Sequence, residues 1–276
     1  MKRTLMAMLV TLGLLMSIIP HAHAADGFAD NSFKAVWDRT DAAVASGKSS
    51  NSWLWGPQPN SAGLVEGYAQ SPNGRRLVQY WDKARMEINN PNANRGELWY
   101  VTNGLLPIEL ITGQMQIGDA QFEKRTPANI PAVGDPDNTF PTYADLGNVF
   151  TRLGAGDRVG NPVTGFFTPD GKISGYDTYR NDPATLVAAV ENNHGIPAGF
   201  LAYMNAQSGS LGRLFVFGAP VSGAYWVTAK VGGVERPVIV QVFERRVLTY
   251  TPSNDPAFRV ESGNVGQHYF RWRYGR

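Results

Sequence analysis

The 276-residue chain contains no cysteine. That excludes disulfide staples, thiolate nucleophiles, zinc–sulfur sites and a lipid anchor on an N-terminal cysteine. Histidine is scarce: of the four residues, His21 and His23 fall within the first 24 positions. The two that remain are too few for a histidine-rich zinc site, and no HExxH spacing occurs. His194 sits in Asn192-Asn193-His194-Gly195, a loop-like setting, and His268 stands among C-terminal aromatics. No Gly-x-Ser-x-Gly elbow accompanies them, because Ser208-Gly209-Ser210-Leu211-Gly212 does not fit that pattern. Both histidines read as structural, and no catalytic residue is assigned.

An excess of one charge sign is also missing. The formal net charge is +2, and Lys2 and Arg3 account for it; the rest of the chain carries 23 basic and 23 acidic side chains. A neutral domain has no general pull on nucleic acid or on acidic membranes. Long apolar runs are absent apart from Leu5 to Ile19, about 15 residues against the roughly 20 that a spanning helix needs. Lys2-Arg3 before that run, Pro20 after it and Ala22-His23-Ala24 beyond have the form of a cleavable signal peptide over residues 1–24. The expectation is a secreted or cell-surface protein with no transmembrane segment in its mature chain. About 250 residues with 43% apolar side chains suffice for a core without staples.

What is present is glycine, proline and aromatic residues, arranged with an internal echo at an offset of 162 residues. Trp53-Leu54-Trp55-Gly56 corresponds to Phe215-Val216-Phe217-Gly218. Leu77-Val78-Gln79-Tyr80-Trp81-Asp82-Lys83 corresponds to Ile239-Val240-Gln241-Val242-Phe243-Glu244-Arg245, with no gap between the blocks. Each copy reads as an aromatic strand ending at glycine with proline close behind, a polar stretch, then a strand, a tight charged turn and a second strand. Val101 to Leu106 and Val260 to Val265 read as entries into short helices. A weaker third echo runs from Phe150 to Ile173, with a hairpin turn at Asp170-Gly171. Helical spacing is expected from Phe33 to Val44, with Ser32 as cap, and over Ala184–Val190 and Phe200–Asn205. The predicted fold class is α+β, with two clear and one degenerate helix-plus-β-hairpin repeats sharing a core, because a lone hairpin buries too little apolar surface. The predicted divisions are 25–116 (N-terminal helix and first repeat), 117–195 (middle segment with the degenerate repeat) and 196–276 (C-terminal repeat).

The stretches Val78 to Glu87 and Val240 to Tyr250, with Gly263-Asn264-Val265-Gly266-Gln267-His268-Tyr269, resemble the "VQyFERaRfE" modules and the closing module of secreted proteins of Chloroflexota-type bacteria. No activity is assigned to that family, so the resemblance implies repetition and export. The pattern is also loosely similar to LGFP cell-wall repeats, through Phe217-Gly218-Ala219-Pro220-Val221-Ser222, Val159-Gly160-Asn161-Pro162-Val163-Thr164 and Phe243 to Tyr250. Arg245-Arg246 and Lys83-Ala84 stand where those repeats have Gly-Gly. That likeness implies attachment to envelope polysaccharide.

Three groups of residues are candidates for chemistry. Asp82, Glu87 and Glu244 lie beside bases, as a glycosidase carboxylate pair or as turn-fixing ion pairs of Asp82 with Lys83 or Arg85 and Glu244 with Arg245 or Arg246. Gln79, Asp82, Lys83, Gln241, Glu244 and Arg245 are therefore read as a structural motif, the glutamines satisfying backbone groups at the hairpin mouth. Asp135-Pro136-Asp137-Asn138-Thr139 offers oxygen donors without the EF-hand register, so no metal or cofactor is assigned and a solvated loop is expected. Flat aromatic rings can stack on the apolar faces of sugars. The ligand-binding candidates are Trp53, Trp55, Tyr68, Tyr225 and Trp226, the last two expected to be exposed. Together these observations point to a non-catalytic binding or scaffolding protein of the cell exterior, whose partner is cell-wall polysaccharide or a surface protein. The alternative is a glycosidase-like hydrolase with two carboxyl groups facing each other across an open groove.

Overall fold

The computed structural model describes residues 27–153 and 157–275. The signal-peptide reading of residues 1–24 lies outside the described residues. The chain begins with helices α1 (Asn31–Asp38) and α2 (Asp41–Ala45). Strands β1 (Leu64–Gly67), β2 (Arg75–Tyr80), β3 (Arg85–Ile88) and β4 (Thr102–Asn103) follow, then α3 (Leu106–Thr112) and a small hairpin of β5 (Gln114–Gln116) and β6 (Phe122–Lys124). The middle holds α4 (Tyr143–Leu146), β7 (Gly165–Phe167), β8 (Ile173–Gly175), β9 (Val187–Glu191) and β10 (His194–Pro197). The last third comprises α5 (Ala198–Ser208), α6 (Arg213–Val216), β11 (Tyr225–Val231), β12 (Val234–Val242), β13 (Val247–Tyr250), β14 (Val260–Ser262) and α7 (Val265–Tyr274). The class is α+β. Among the described residues no helix is long and apolar enough to cross a membrane.

Strands β1–β4 form an antiparallel sheet in chain order, and β14-β13-β12-β11-β7-β8 form a six-stranded sheet. The latter is antiparallel except where Trp226 of β11 pairs in parallel with Phe166 of β7. Both sheets are covered on both faces. One apolar cluster gathers Trp55, Trp81, Met86 and Ile88 with Phe215, Trp226, Ile239, Phe243 and Leu248. The other gathers Val78, Tyr80 and Leu110 with Tyr225, Val240, Val242, Val247 and Tyr269. Alternate residues of each strand thus feed different clusters, the consequence of a two-residue side-chain period.

The two central hairpins make matching bonds. The Trp81 N–H donates to the Ala84 carbonyl at 2.9 Å, as the Phe243 N–H does to Arg246 at 2.8 Å. The Lys83 N–H reaches the Trp55 carbonyl and the Arg245 N–H reaches that of Phe217, both at 3.0 Å. Gln79 Nε2 donates to the Ser61 carbonyl at 2.9 Å, and Gln241 Nε2 to that of Ser222 at 3.0 Å. The hydroxyls of those serines accept from Tyr80 N–H at 3.1 Å and Val242 N–H at 3.0 Å.

Several local expectations need correction. Neither aromatic segment is a strand: Trp53 to Trp55 is irregular, and Phe215 and Val216 belong to helix α6. The segment 184–190 is a short 3₁₀ turn (Pro183–Thr185) followed by strand β9, not a helix. Asn192 and Asn193 both take positive φ, 48° and 63°, and close a tight hairpin onto β10. His194 is accordingly a buried strand residue, not a loop residue. The first helix is capped by Asp30, whose carboxylate accepts the Ser32 N–H at 2.7 Å, and it breaks before Asp41. Buried Asp41 then accepts the N–H groups of Leu54, Trp55 and Gly56 at 2.8–3.0 Å, fixing the aromatic segment ahead of the first sheet.

Candidate functional site

Carboxylates do gather in the first hairpin, but in the interior. Arg76, Arg85 and Glu87 point to one face of β2 and β3, where Glu66 of β1, Glu109 of α3 and Arg273 of α7 meet them. Glu87 takes Arg76 at 2.9 Å and Arg85 at 2.6 Å; Glu66 takes Arg273 at 3.1 Å and Arg85 at 3.4 Å. The hydroxyls of Tyr80 and Tyr274 donate to Glu66 at 2.6 and 2.7 Å, and that of Tyr269 donates to Glu109. Burial alone would raise the carboxyls of Glu66 and Glu87, yet the neighbouring arginines hold both below the ordinary range. At Glu109 burial prevails over Arg85 and the carboxyl is pushed up. The corresponding residues of the second hairpin are Val238, Val247 and Thr249. With all three acids buried, this cluster is a structural network and offers no groove to a substrate.

An open cleft lies near the turn of the same hairpin. A cleft of about 620 Å³ opens between residues 130–136, the ends of β12–β14 and the first half of α7. Half-buried Ile130, Pro131 and Val231 give its lining apolar surface over buried Ala132, Val133 and Val238; Lys83, Glu261, Asn264, Gln267, His268 and Arg271 supply polar groups. The helix is docked beside it because Gly266 lets α7 lie directly on the hairpin turn. A Cβ there would stand 2.1 Å from the Trp81 carbonyl oxygen. Gln267 completes the dock, its N–H bonding the Asp82 carbonyl at 3.1 Å and its amide the Asp82 carboxylate at 2.6 Å.

Burial and neighbouring groups shift several ionisable groups of the cleft in different directions. Burial, with Arg246 adding to it, pushes the Lys83 ammonium down to about 8; its Nζ donates to the Ser262 carbonyl at 2.6 Å and to Asn264 at 3.2 Å. His268 is pushed down to about 4 by burial and by Arg271 and Lys83, so it is neutral near pH 7. Its Nδ1 lies 2.9 Å from the Tyr143 hydroxyl. Burial raises Glu261. Asp135 is lowered, because its oxygens accept the N–H groups of Gly233 at 2.7 Å and Gly232 at 3.0 Å. Those bonds, with Asp137 paired to Lys230, dock the Asp135–Thr139 segment on the β11–β12 turn. Among the described residues no group of three or more acids and histidines is placed to hold a metal.

The sugar-platform candidates fall elsewhere. Tyr225 and Trp226 are 1% and 0% exposed, contrary to expectation, because β11 is an interior strand of the six-stranded sheet. The Tyr225 hydroxyl donates to Leu153, and the Trp226 indole donates to the Val163 carbonyl and stacks on Tyr179 at 5.1 Å. Trp55 is buried beside Arg246, Tyr68 is buried beneath Arg76 and bonded to Asp119, and Trp53 is half-buried. None of the five borders the cleft. Of the charged turn residues, Glu244 pairs with Arg245 at 3.1 Å. Asp82 instead accepts from the side chains of Asn60 and Gln267, both at 2.6 Å, since Arg85 is drawn into the buried network and Lys83 toward Ser262.

Glu261, Asn264, Gln267 and Arg271 carry no functional mark in the sequence reading. Their one available signal was the Gly266-Gln267 pair at the start of a helix lacking acidic residues in its first turn. The half-exposed Trp99 was also passed over. Comparison with family models, with curated proteins and with solved structures yields no match.

Proposed function

We propose that the chain is an exported, non-catalytic binding protein whose cleft beside Lys83 receives a segment of cell-envelope glycan. The observation that carries this reading is one open cleft whose lining combines apolar side chains with hydrogen-bonding ones. A pyranose ring has the same division, with apolar C–H faces and a rim of hydroxyls. Lys83 and Arg271 donate, Glu261 accepts, and Asn264 and Gln267 do both. The signal-peptide form of residues 1–24, the matching bonds of the two hairpins and the scarcity of catalytic motifs support the same reading. Retention on purified cell walls and on a glycan array tests it. Retention weakened by Arg271→Ala is expected, and no retention of the intact chain on either would overturn it.

A second reading keeps one specific observation in its favour. Glu261 and Asp135 line one cleft with their carboxyl groups shifted in opposite directions, the division of labour of a glycosidase acid and its ionised partner. Asp135 is engaged by two backbone N–H groups as a turn-fixing acceptor, which favours binding over hydrolysis. Release of reducing ends from cell-wall polysaccharide, abolished by Glu261→Gln, would establish the hydrolase instead.

A further inference from the structure

The lysine that borders the cleft has a counterpart 162 residues later, Arg245, in the turn of the second hairpin. Arg245 also borders a surface feature. Its guanidinium carbon lies 5.8 Å from the ring centroid of Trp99. Trp99 is 50% exposed, yet it is held from below: it lies in a 3₁₀ turn (Leu98–Tyr100) whose Tyr100 is buried, and its ring contacts that of Phe215 at 5.2 Å. Arg245 Nη1 is tied to Glu244 at 3.1 Å, while its Nε is buried without a hydrogen-bond partner. An immobilised, half-exposed indole is thus edged by a donor and an acceptor.

We propose that Trp99, with Arg245 and Glu244 at its edge, is a second saccharide subsite on which one pyranose ring stacks. The proposal rests on the glycan reading for its ligand class and extends it to a separate place on the molecule. Size favours this occupant. Trp99 is a half-exposed ring; an aromatic side chain has about 150–250 Å² in all, only part of it open here, whereas a stable protein interface needs about 800 Å² from each partner. A sugar ring matches a single indole, and the Glu244–Arg245 pair supplies partners for its hydroxyls. Two subsites on one chain would bind a polymeric glycan more tightly than a short one, because the second contact is intramolecular.

The test follows the indole N–H resonance of Trp99, assigned with Trp99→Phe, during titration with the tetrasaccharide of N-acetylglucosamine and with cellotetraose. The expected result is a saturable shift of that resonance with one of the two, and about tenfold weaker binding in Trp99→Ala with the fold kept and the melting temperature lowered by only a few degrees. If resonances of the cleft respond while that of Trp99 stays still, the ledge is refuted and the cleft reading stands. If neither responds, to these probes or to solubilised cell-wall fragments, both are refuted. Trp99-dependent self-association, or Trp99-dependent binding to phosphatidylglycerol vesicles without a saccharide response, also overturns the proposal.

Discussion

Replacing Arg85 with Met probes the charge network inside the first sheet. The guanidinium is fully buried and contacts Glu87 at 2.6 Å, Glu66 at 3.4 Å and Glu109 at 3.5 Å. Met preserves length and apolar contact but leaves three buried carboxyls facing Arg76 and Arg273 alone. Breaking a buried pair on one side costs about 3–5 kcal/mol. At roughly 2–4 °C per kcal/mol for a chain of this size, the melting temperature should fall by about 6–20 °C. Glu66 and Glu87 are held below their unfolded values by arginine. Their contribution is therefore present above about pH 4.3, the ordinary glutamate value, and is lost as pH falls through the folded values. Without Arg85 that acid loss begins at higher pH. Combining Arg85→Met with Glu109→Gln removes one charge of each sign and should recover at least about 1 kcal/mol. Urea unfolding with a constant slope measures each quantity. A single variant within about 1 kcal/mol of the wild type, or a double variant worse than the sum of its parts, would refute the reasoning.

Gly266→Ala should cost about 1–3 kcal/mol in urea unfolding and weaken saccharide binding, because its Cβ meets backbone atoms of Trp81 and Ala84 at 2.1–2.6 Å and α7 must lift from the turn. His268 is depressed to about 4 when folded, against about 6.5 unfolded. The stability linked to it is complete above about pH 6.5 and lost as pH falls through 4, so His268→Gln should flatten the stability profile over that window by about 2–3 kcal/mol. Trp226→Ala should cost about 3–5 kcal/mol by opening a cavity around a fully buried ring, against about 1–2 kcal/mol for half-exposed Trp99→Ala, both read in thermal melts. Binding carried by the Lys83 charge should decline as pH rises through about 8, where its ammonium loses its proton, and a titration from pH 6 to 9.5 reads this directly.

The hairpins were legible because strand, charged turn and strand recur with a period of two, and their turn bonds follow the 162-residue offset. The strand β9 was not, since the Ala-rich Ala184–Val190 suits either period; the two asparagines after it were the better signal. Tyr225 and Trp226 were misplaced because nearby Ser222 and Gly223 suggested a surface. In the fold Ser222 is itself buried and serves the neighbouring strand through its hydroxyl. Glu87 reads in the sequence as a carboxylate beside a base, and Arg85 as a turn-fixing partner of Asp82. Two positions apart on a strand, Arg85 and Glu87 share one face, and only the packing of α3 and α7 over that face makes it interior. The cleft could not be read locally at all. The Lys83 ammonium meets a carbonyl 179 positions away, and another part of the lining comes from the 130–136 loop.

The most direct measurement is backbone amide chemical-shift mapping of the intact chain titrated with solubilised cell-wall glycan. The account predicts perturbations concentrated on residues 130–136, 261–271 and Lys83, weakened by Arg271→Ala, with the glycan recovered intact. Perturbations confined to other surfaces, or a glycan cleaved during the titration, would contradict it.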